Sequence, residues 1–126
     1  MAIAPNFAAT PRFSAVSIAT ADTSRTAPVN IGTVFAAGAN GSRIDEVTIT
    51  AAGTSTNNVV RLFVYDGVTY YLLQEVLTTA IVAGASQDSF TVTLTFNSFV
   101  LPTGHSLAAT TNASETYHVL AFGGDF

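Results

Sequence analysis

The 126-residue sequence contains no cysteine, no tryptophan and no lysine. Without cysteine, the chain has no disulfide bonds, zinc–thiolate sites, iron–sulfur clusters or thiol nucleophiles. Charged residues are also scarce, at 10% of the chain against about 25% in an average globular protein. Four basic and eight acidic side chains give a net charge of −4, which is the wrong sign for neutralising phosphates. We therefore expect no nucleic-acid partner.

Long apolar runs are missing as well. No window reaches the roughly 18 consecutive apolar residues that cross a bilayer, so we expect no membrane partner. The N-terminal segment has no basic region, and Pro5 and Pro11 interrupt it before an apolar stretch of signal-peptide length. We therefore expect synthesis in a cytoplasm and no secretion. The length and a hydrophobic content of 48% predict one domain with its own core.

Residues 1–28 are rich in alanine, serine and threonine, contain three prolines and show no helical periodicity. Proline fixes φ and removes a backbone donor, so this composition predicts an extended N-terminal arm with one strand near residues 13–19. Its large aromatic side chains are Phe7 and Phe13. We expect the arm to lie on a neighbouring chain, which would hold these two rings.

From residue 29 onward, apolar and polar residues alternate with a period of two, which is typical of half-buried strands. The predicted strands cover residues 29–35, 43–51, 59–65, 68–77, 89–96, 106–111 and 117–122. Asp66-Gly67 between two apolar runs predicts a hairpin, and its strands should be central or covered because both their faces are apolar. Seven or eight strands predict an all-β fold, an antiparallel β-sandwich or jelly roll over residues 29–126. A small barrel is the alternative.

Residues with catalytic potential are few. His105 follows a Pro-Thr-Gly turn, and His118 lies in the last predicted strand. No Gly-x-Ser-x-Gly elbow marks a nucleophile that either histidine could activate. We therefore expect structural histidines, no enzymatic activity, no catalytic residues and no cofactor.

Metal-binding patterns are equally weak. Asp45 and Glu46 should point to opposite faces of a strand, so they cannot form one two-carboxylate site. An ion pair with Arg43 or Arg61 is the simpler interpretation. Asp66 alone in a two-residue turn does not supply the several oxygens that calcium needs. We expect no metal site.

The surface composition predicts contacts between protein chains, because charge is depleted at the centre of such interfaces. A strand face carries threonine in place of charge, and the chain ends in Phe126 behind Gly-Gly-Asp. We predict Phe7, Phe13 and Phe126 as interface residues, since buried aromatic side chains dominate contact energies. A soluble monomer with a neutral surface is the alternative. For sugar binding, adjacent Tyr70 and Tyr71 would offer at most one exposed platform.

Residues 99–122 contain a Leu-Pro-Thr-Gly turn, a Thr-Thr-Asn corner and a closing apolar strand, and the predicted hairpin reads Arg61-Leu-Phe-Val-Tyr-Asp-Gly followed by Tyr71-Leu-Leu. In these motifs the sequence resembles small structural proteins of tailed bacteriophages. The resemblance covers roughly residues 44–122 and leaves the arm outside. The resemblance implies a capsid decoration or cement protein, commonly a trimeric β-sandwich, bound over the joints between major capsid subunits and without catalytic residues.

On this basis we expect a non-enzymatic virion structural protein on the capsid surface. Its expected partners are the major capsid protein and further copies of itself, as a homotrimer. Two alternatives stay open, a tail or fibre-associated structural protein and a carbohydrate-binding β-sandwich module on the virion surface.

Overall fold

A computed structural model describes residues 10–126, which form eight β-strands and no helix. The strands are β1 (Thr10–Ile18), β2 (Gly32–Ala36), β3 (Ser42–Ala51), β4 (Asn58–Tyr65), β5 (Tyr70–Thr78), β6 (Thr91–Leu101), β7 (Ser106–Thr111) and β8 (Tyr117–Asp125). This confirms the predicted all-β fold. Within the described range there is accordingly no helical segment capable of spanning a membrane.

The strands form two four-stranded antiparallel sheets. Sheet A has the order β1-β8-β3-β6, and sheet B has the order β2-β7-β4-β5. Each strand of the first half pairs with its mirror partner in the second half, β4 with β5, β3 with β6, β2 with β7 and β1 with β8. The predicted β-sandwich is therefore confirmed.

The centre of this mirror pairing is the Asp66-Gly67 turn. Gly67 has a φ of +98°, a backbone conformation that favours glycine. The Asp66 carboxylate accepts hydrogen bonds from the backbone amides of Val68 at 2.8 Å and Thr69 at 2.7 Å. The turn that the sequence predicts thus closes the β4–β5 hairpin.

The main core lies between the two sheets. Strand alternation places one set of side chains inward, and each fully buried aliphatic side chain contributes about 1.5–3 kcal/mol. The residues of this core with no exposed surface include Ile44, Val47, Ile49, Val60, Leu62, Leu107, Ala109, Val119 and Ala121. These residues come from β3, β4, β7 and β8, the central strands of the two sheets.

Part of the predicted N-terminal arm belongs to the sandwich. Residues 10–18 form β1, which pairs with β8 along its whole length. Its inward side chains Val16 and Ile18 pack on the main core. The sandwich therefore includes residues on the N-terminal side of the boundary predicted at residue 28. Pro11 is compatible with β1 because this strand lies at a sheet edge. Residues 1–9, with Phe7, lie outside the described residues.

The prediction for the hairpin strands holds for β4 and is wrong for β5. β4 lies between β7 and β5, whereas β5 is the edge strand of sheet B. Tyr71, Leu72 and Leu77 are exposed there. Apolar residues on both faces of a strand indicate burial only when neighbours flank it, and β5 has a neighbour on one side alone.

Candidate protein-docking surfaces

The outer face of sheet B is covered. In the register of β4 and β7, Arg61 lies opposite Thr110 and Phe63 lies opposite Ala108. All four side chains face away from the main core, yet they are buried, and only 3% of Arg61 is exposed. A segment outside the two sheets therefore lies over this face.

That segment is the connection between β1 and β2, residues 19–31, which we call the covering loop. The backbone carbonyl of Asp22 accepts a hydrogen bond from Arg61 Nη1 at 3.5 Å. Further along the loop, Arg25 Nε donates to Glu75 of β5 at 2.9 Å. These contacts carry the loop across the outer face of β4 to the edge strand.

Asp22 also fixes the shape of the covering loop. Its carboxylate accepts backbone hydrogen bonds from Val29 at 2.7 Å, Asn30 at 2.9 Å and Ser24 at 3.0 Å. The bond from Val29 contributes most to lowering the pKa of Asp22, against an opposing effect of burial. Because residues 29–31 belong to this loop, β2 begins at Gly32 and not at residue 29 as predicted.

The charges under the loop neutralise one another. Arg61 Nε lies 3.2 Å from Glu75 Oε2, and Arg61 Nη1 donates to Asn112 Oδ1 at 3.0 Å. Hydrogen bonding to Arg25 is the main cause of the lowered pKa of Glu75, with a smaller contribution from Arg61. Arg61 therefore pairs with Glu75 and not with the acidic pair Asp45-Glu46.

The outer face of sheet A, which we call the bare face, has a different composition. The registers of its strands align outward side chains in three rows across the sheet. The rows are Phe13, Phe122, Glu46 and Thr95; Ala15, Leu120, Thr48 and Thr93; and Ser17, His118, Thr50 and Thr91. Glu46 is the acidic side chain in these rows. Their β1–β8 half is largely apolar, and their β3–β6 half is rich in hydroxyl groups.

Two exposed phenylalanines form the most apolar part of the bare face. Phe13 of β1 lies directly opposite Phe122 of β8, and their ring centroids are 5.3 Å apart. Phe13 is 56% exposed and Phe122 is 39% exposed. The structure therefore places Phe13, a predicted interface residue, on a strand of the sandwich, and we call these two rings the aromatic pair.

The threonine rows occupy the other half of the bare face. Thr91, Thr93 and Thr95 of β6 are exposed, as the alternation in the sequence predicts. The hydroxyl groups of Thr48 and Thr93 are 3.2 Å apart across β3 and β6. These side chains present methyl and hydroxyl groups without a net charge.

A bulge in β3 alters the predicted placement of the acidic pair. The register shifts between Ile44 and Glu46, so Asp45 and Glu46 are both exposed in place of a strict alternation. Asp45 accepts a hydrogen bond from Arg43 Nε at 2.8 Å. The expected ion pair with Arg43 is therefore present.

The other predicted interface residues are Phe126 and Phe7. Phe126 is half-buried, and its backbone amide donates to the carbonyl of Gly41 at 3.1 Å, which ties the C-terminus to the turn before β3. Phe7 is outside the described residues. Of the two predicted residues that the structure describes, Phe13 is the one that lies on the bare face.

The two histidines do not come together. His105 lies in the turn before β7, with Nδ1 3.4 Å from the Thr103 carbonyl, and His118 is exposed near the start of β8. In residues 10–126, no group of three or more histidine, cysteine or acidic side chains could hold a metal ion.

The β5 edge is a second apolar surface, which sequence reasoning missed. Tyr71, Leu73 and Leu77 are exposed on this strand, and Leu77 is 76% exposed. The available signal is the presence of apolar residues on both faces of the strand, but a buried central strand has the same pattern.

Neither a known protein family, nor a curated protein, nor a solved structure matches this chain.

Proposed function

We propose that this chain is a virion structural protein, a capsid decoration or cement protein that docks on the phage head through the bare face. The observation that carries the proposal is the contrast between the sheets. The chain covers the outer face of sheet B with its own loop and leaves the aromatic pair of sheet A exposed. Adjacent exposed apolar groups beside uncharged hydroxyls are typical of protein-interaction sites.

The strand pairing supports the same proposal. The mirror pairing about the β4–β5 turn is what winding up one long hairpin produces, and we interpret the sandwich as a jelly roll. Viral capsid and lectin domains use this architecture. A fold alone does not determine a function, and the exposed residues of the bare face are what favour docking on a capsid.

The proposed mechanism requires no chemistry. A shell that holds packaged DNA under pressure fails at the joints between its subunits. A ligand that binds the assembled lattice and not the separate subunits stabilises the lattice by mass action. When the free concentration of the ligand is one hundred times its dissociation constant, the stabilisation is about 2.7 kcal/mol per site. The aromatic pair would supply the buried anchor, because aromatic side chains dominate such contacts.

The composition of the bare face constrains the partner. Its three rows contain one acidic side chain, Glu46, and the neighbouring Asp45 is paired with Arg43. The complementary surface on the major capsid protein should therefore be apolar opposite the aromatic pair and hydrogen-bonding opposite the threonines. Salt should weaken such docking only slightly, since few charges approach one another.

Residues 1–9, with Phe7, extend the chain from the start of β1 and could span at most about 30 Å. We propose that they add contact with a capsid subunit or a sibling copy. A deletion of residues 1–20 would remove β1 together with Val16 and Ile18 from the core. The truncation that tests this segment must therefore stop at residue 9.

The test is co-sedimentation with heads of a tailed phage that encodes this chain. Wild-type protein should pellet with assembled heads and not with disassembled capsid subunits, and Phe13→Ser should lose most of this binding. Val29→Ser is the matched control, because Val29 is 83% exposed on the covering loop of the other sheet. Unchanged binding by Phe13→Ser would remove the bare face from the mechanism. Binding of tails or fibres alone would favour the tail-associated alternative.

A carbohydrate-binding module is the second candidate. One observation favours it: Tyr71 is 56% exposed, whereas Tyr70 stacks on Tyr65 with ring centroids 4.1 Å apart. The pair thus offers one exposed platform. A glycan array should then show saturable binding that Tyr71→Ser abolishes.

A further inference from the structure

The side of the sandwich formed by β5 and β6 is open. At the opposite side, the edge strands β1 and β2 of the two sheets lie against each other. No comparable contact joins β5 to β6 among the described residues. The outer backbone edge of β5 is therefore accessible for pairing with another strand.

β5 has few of the features that prevent edge-to-edge pairing. Natural edge strands are commonly protected by proline, by charged side chains such as lysine, or by β-bulges. The sequence of β5, Tyr-Tyr-Leu-Leu-Gln-Glu-Val-Leu-Thr, contains no proline and no lysine, and its one carboxylate is that of Glu75. The register shift opposite Leu62 and Phe63 is a β-bulge, which interrupts pairing locally but leaves residues 74–78 regular.

The one carboxylate of β5 is neutralised within the same chain. Arg25 and Arg61 both bind Glu75, at 2.9 Å and 3.2 Å. Two copies of β5 can therefore approach each other without the like-charge repulsion that opposed carboxylates produce. Because the one carboxylate of β5 is already paired, the strand offers no free charge to a basic or acidic partner strand, and this favours a second copy of the same strand.

The β5 edge presents several apolar side chains to solvent. Tyr71, Leu72, Leu73 and Leu77 are all exposed on this strand, and Leu77 is 76% exposed. An exposed apolar edge strand is a template for pairing with a strand of another chain. The burial of these apolar groups would add to the backbone hydrogen bonds.

We propose that β5 is a self-association edge, which pairs antiparallel with β5 of a second copy to join two B sheets into one continuous eight-stranded sheet. Antiparallel pairing of a strand with its own copy has two-fold symmetry, so the product is a dimer. The inference does not rest on the proposed function, because it concerns two copies of this chain with or without a shell. It departs from the trimer that the phage resemblance implies.

Light scattering of the full chain over a range of concentrations tests this pairing. The wild-type mass should be twice 13.0 kDa, and Leu77→Lys should give a single chain with an unchanged circular dichroism spectrum and melting temperature. Leu77 is 76% exposed, so lysine there leaves the core intact. Val29→Lys, at a similarly exposed site shortly before β2, should remain dimeric.

Hydrogen exchange provides a second readout. The outward amides of β5 should exchange slowly in the dimer and at least tenfold faster in Leu77→Lys, while exchange in β4 stays slow. A wild-type monomer, a trimer, or a dimer that survives Leu77→Lys without a change in β5 exchange would each overturn the proposal. Shell binding by a monomeric wild-type chain would leave the proposed function standing and remove this inference.

Discussion

The outer faces of the two sheets contain similar residue types in different environments. On sheet B, Phe63 and Arg61 point away from the main core and are nevertheless buried, Arg61 beneath the chain's own covering loop and Phe63 against the ring of Tyr70. On sheet A, Phe13 and Phe122 also point away from the core, and both are exposed. The same strand alternation therefore yields structural side chains on one face and available side chains on the other, depending on which other residues of the chain pack over each face.

The largest expected difference in stability is between variants of Phe63 and Phe13. Phe63→Ala should destabilise the fold by about 3–5 kcal/mol, because a fully buried ring leaves a cavity. Phe13→Ala should cost less than about 1 kcal/mol, since more than half of that side chain is already in water. Urea denaturation of the two variants measures this difference. Equal losses of stability would mean that the two faces are not distinct.

Replacing an arginine should likewise lower the free energy of unfolding more on sheet B than on sheet A. Arg61→Met should cost about 1–3 kcal/mol, because it removes the donor to Asn112 Oδ1 and one of the two arginines that bind Glu75. Arg43→Met should change the free energy of unfolding by less than about 1 kcal/mol, since its pair with Asp45 is exposed. Chemical denaturation in parallel tests the pair of variants, and a larger loss for Arg43→Met would contradict the account.

Acid should loosen the covering loop. The folded-state pKa of Asp22 is lowered below its ordinary 3.8, chiefly by the backbone hydrogen bond from Val29. A carboxylate with a depressed folded pKa stabilises the fold above its unfolded pKa, and this contribution is lost as the pH falls through the folded pKa. The free energy of unfolding should therefore drop less between pH 7 and pH 3 in Asp22→Asn than in wild type. An identical drop in both proteins would remove Asp22 as the anchor of the loop.

The smallest expected effect is on the bare face. Thr93→Val removes the hydroxyl partner of Thr48 at an exposed position and should change stability by no more than about 0.5 kcal/mol. The same variant should weaken co-sedimentation with heads if the threonine rows contribute hydrogen bonds to docking. A loss of stability above 1 kcal/mol would show that the rows hold the sheet together.

Much of the fold could be predicted from local patterns. The strand at residues 106–111 and the hairpin at Asp66-Gly67 follow from period-two alternation and turn chemistry, and both are found. Boundaries were less predictable, because β6 continues to Leu101 and β8 to Asp125, where bulges and glycines interrupt the alternation. These boundaries depend on which strand lies alongside, and a single sequence does not contain that information.

The candidate surfaces could be predicted only in part. Phe13 stands out as an aromatic residue among small ones, but its neighbour Phe122 is 109 positions away and is placed beside it by the β1–β8 register. The exposure of β5 was predicted wrongly, because an apolar strand has the same local pattern at an edge and at the centre of a sheet. The burial of Arg61 depends on the covering loop, and nothing in the sequence around Arg61 indicates that contact.

The proposed docking requires that the bare face, and not the covered outer face of sheet B, meets the partner. Photo-crosslinking tests this when Phe13 or Val29 is replaced with p-benzoylphenylalanine and each protein is irradiated on assembled heads. We expect crosslinks to the major capsid protein from position 13 and none from position 29. Crosslinks from position 29 with none from position 13 would contradict it.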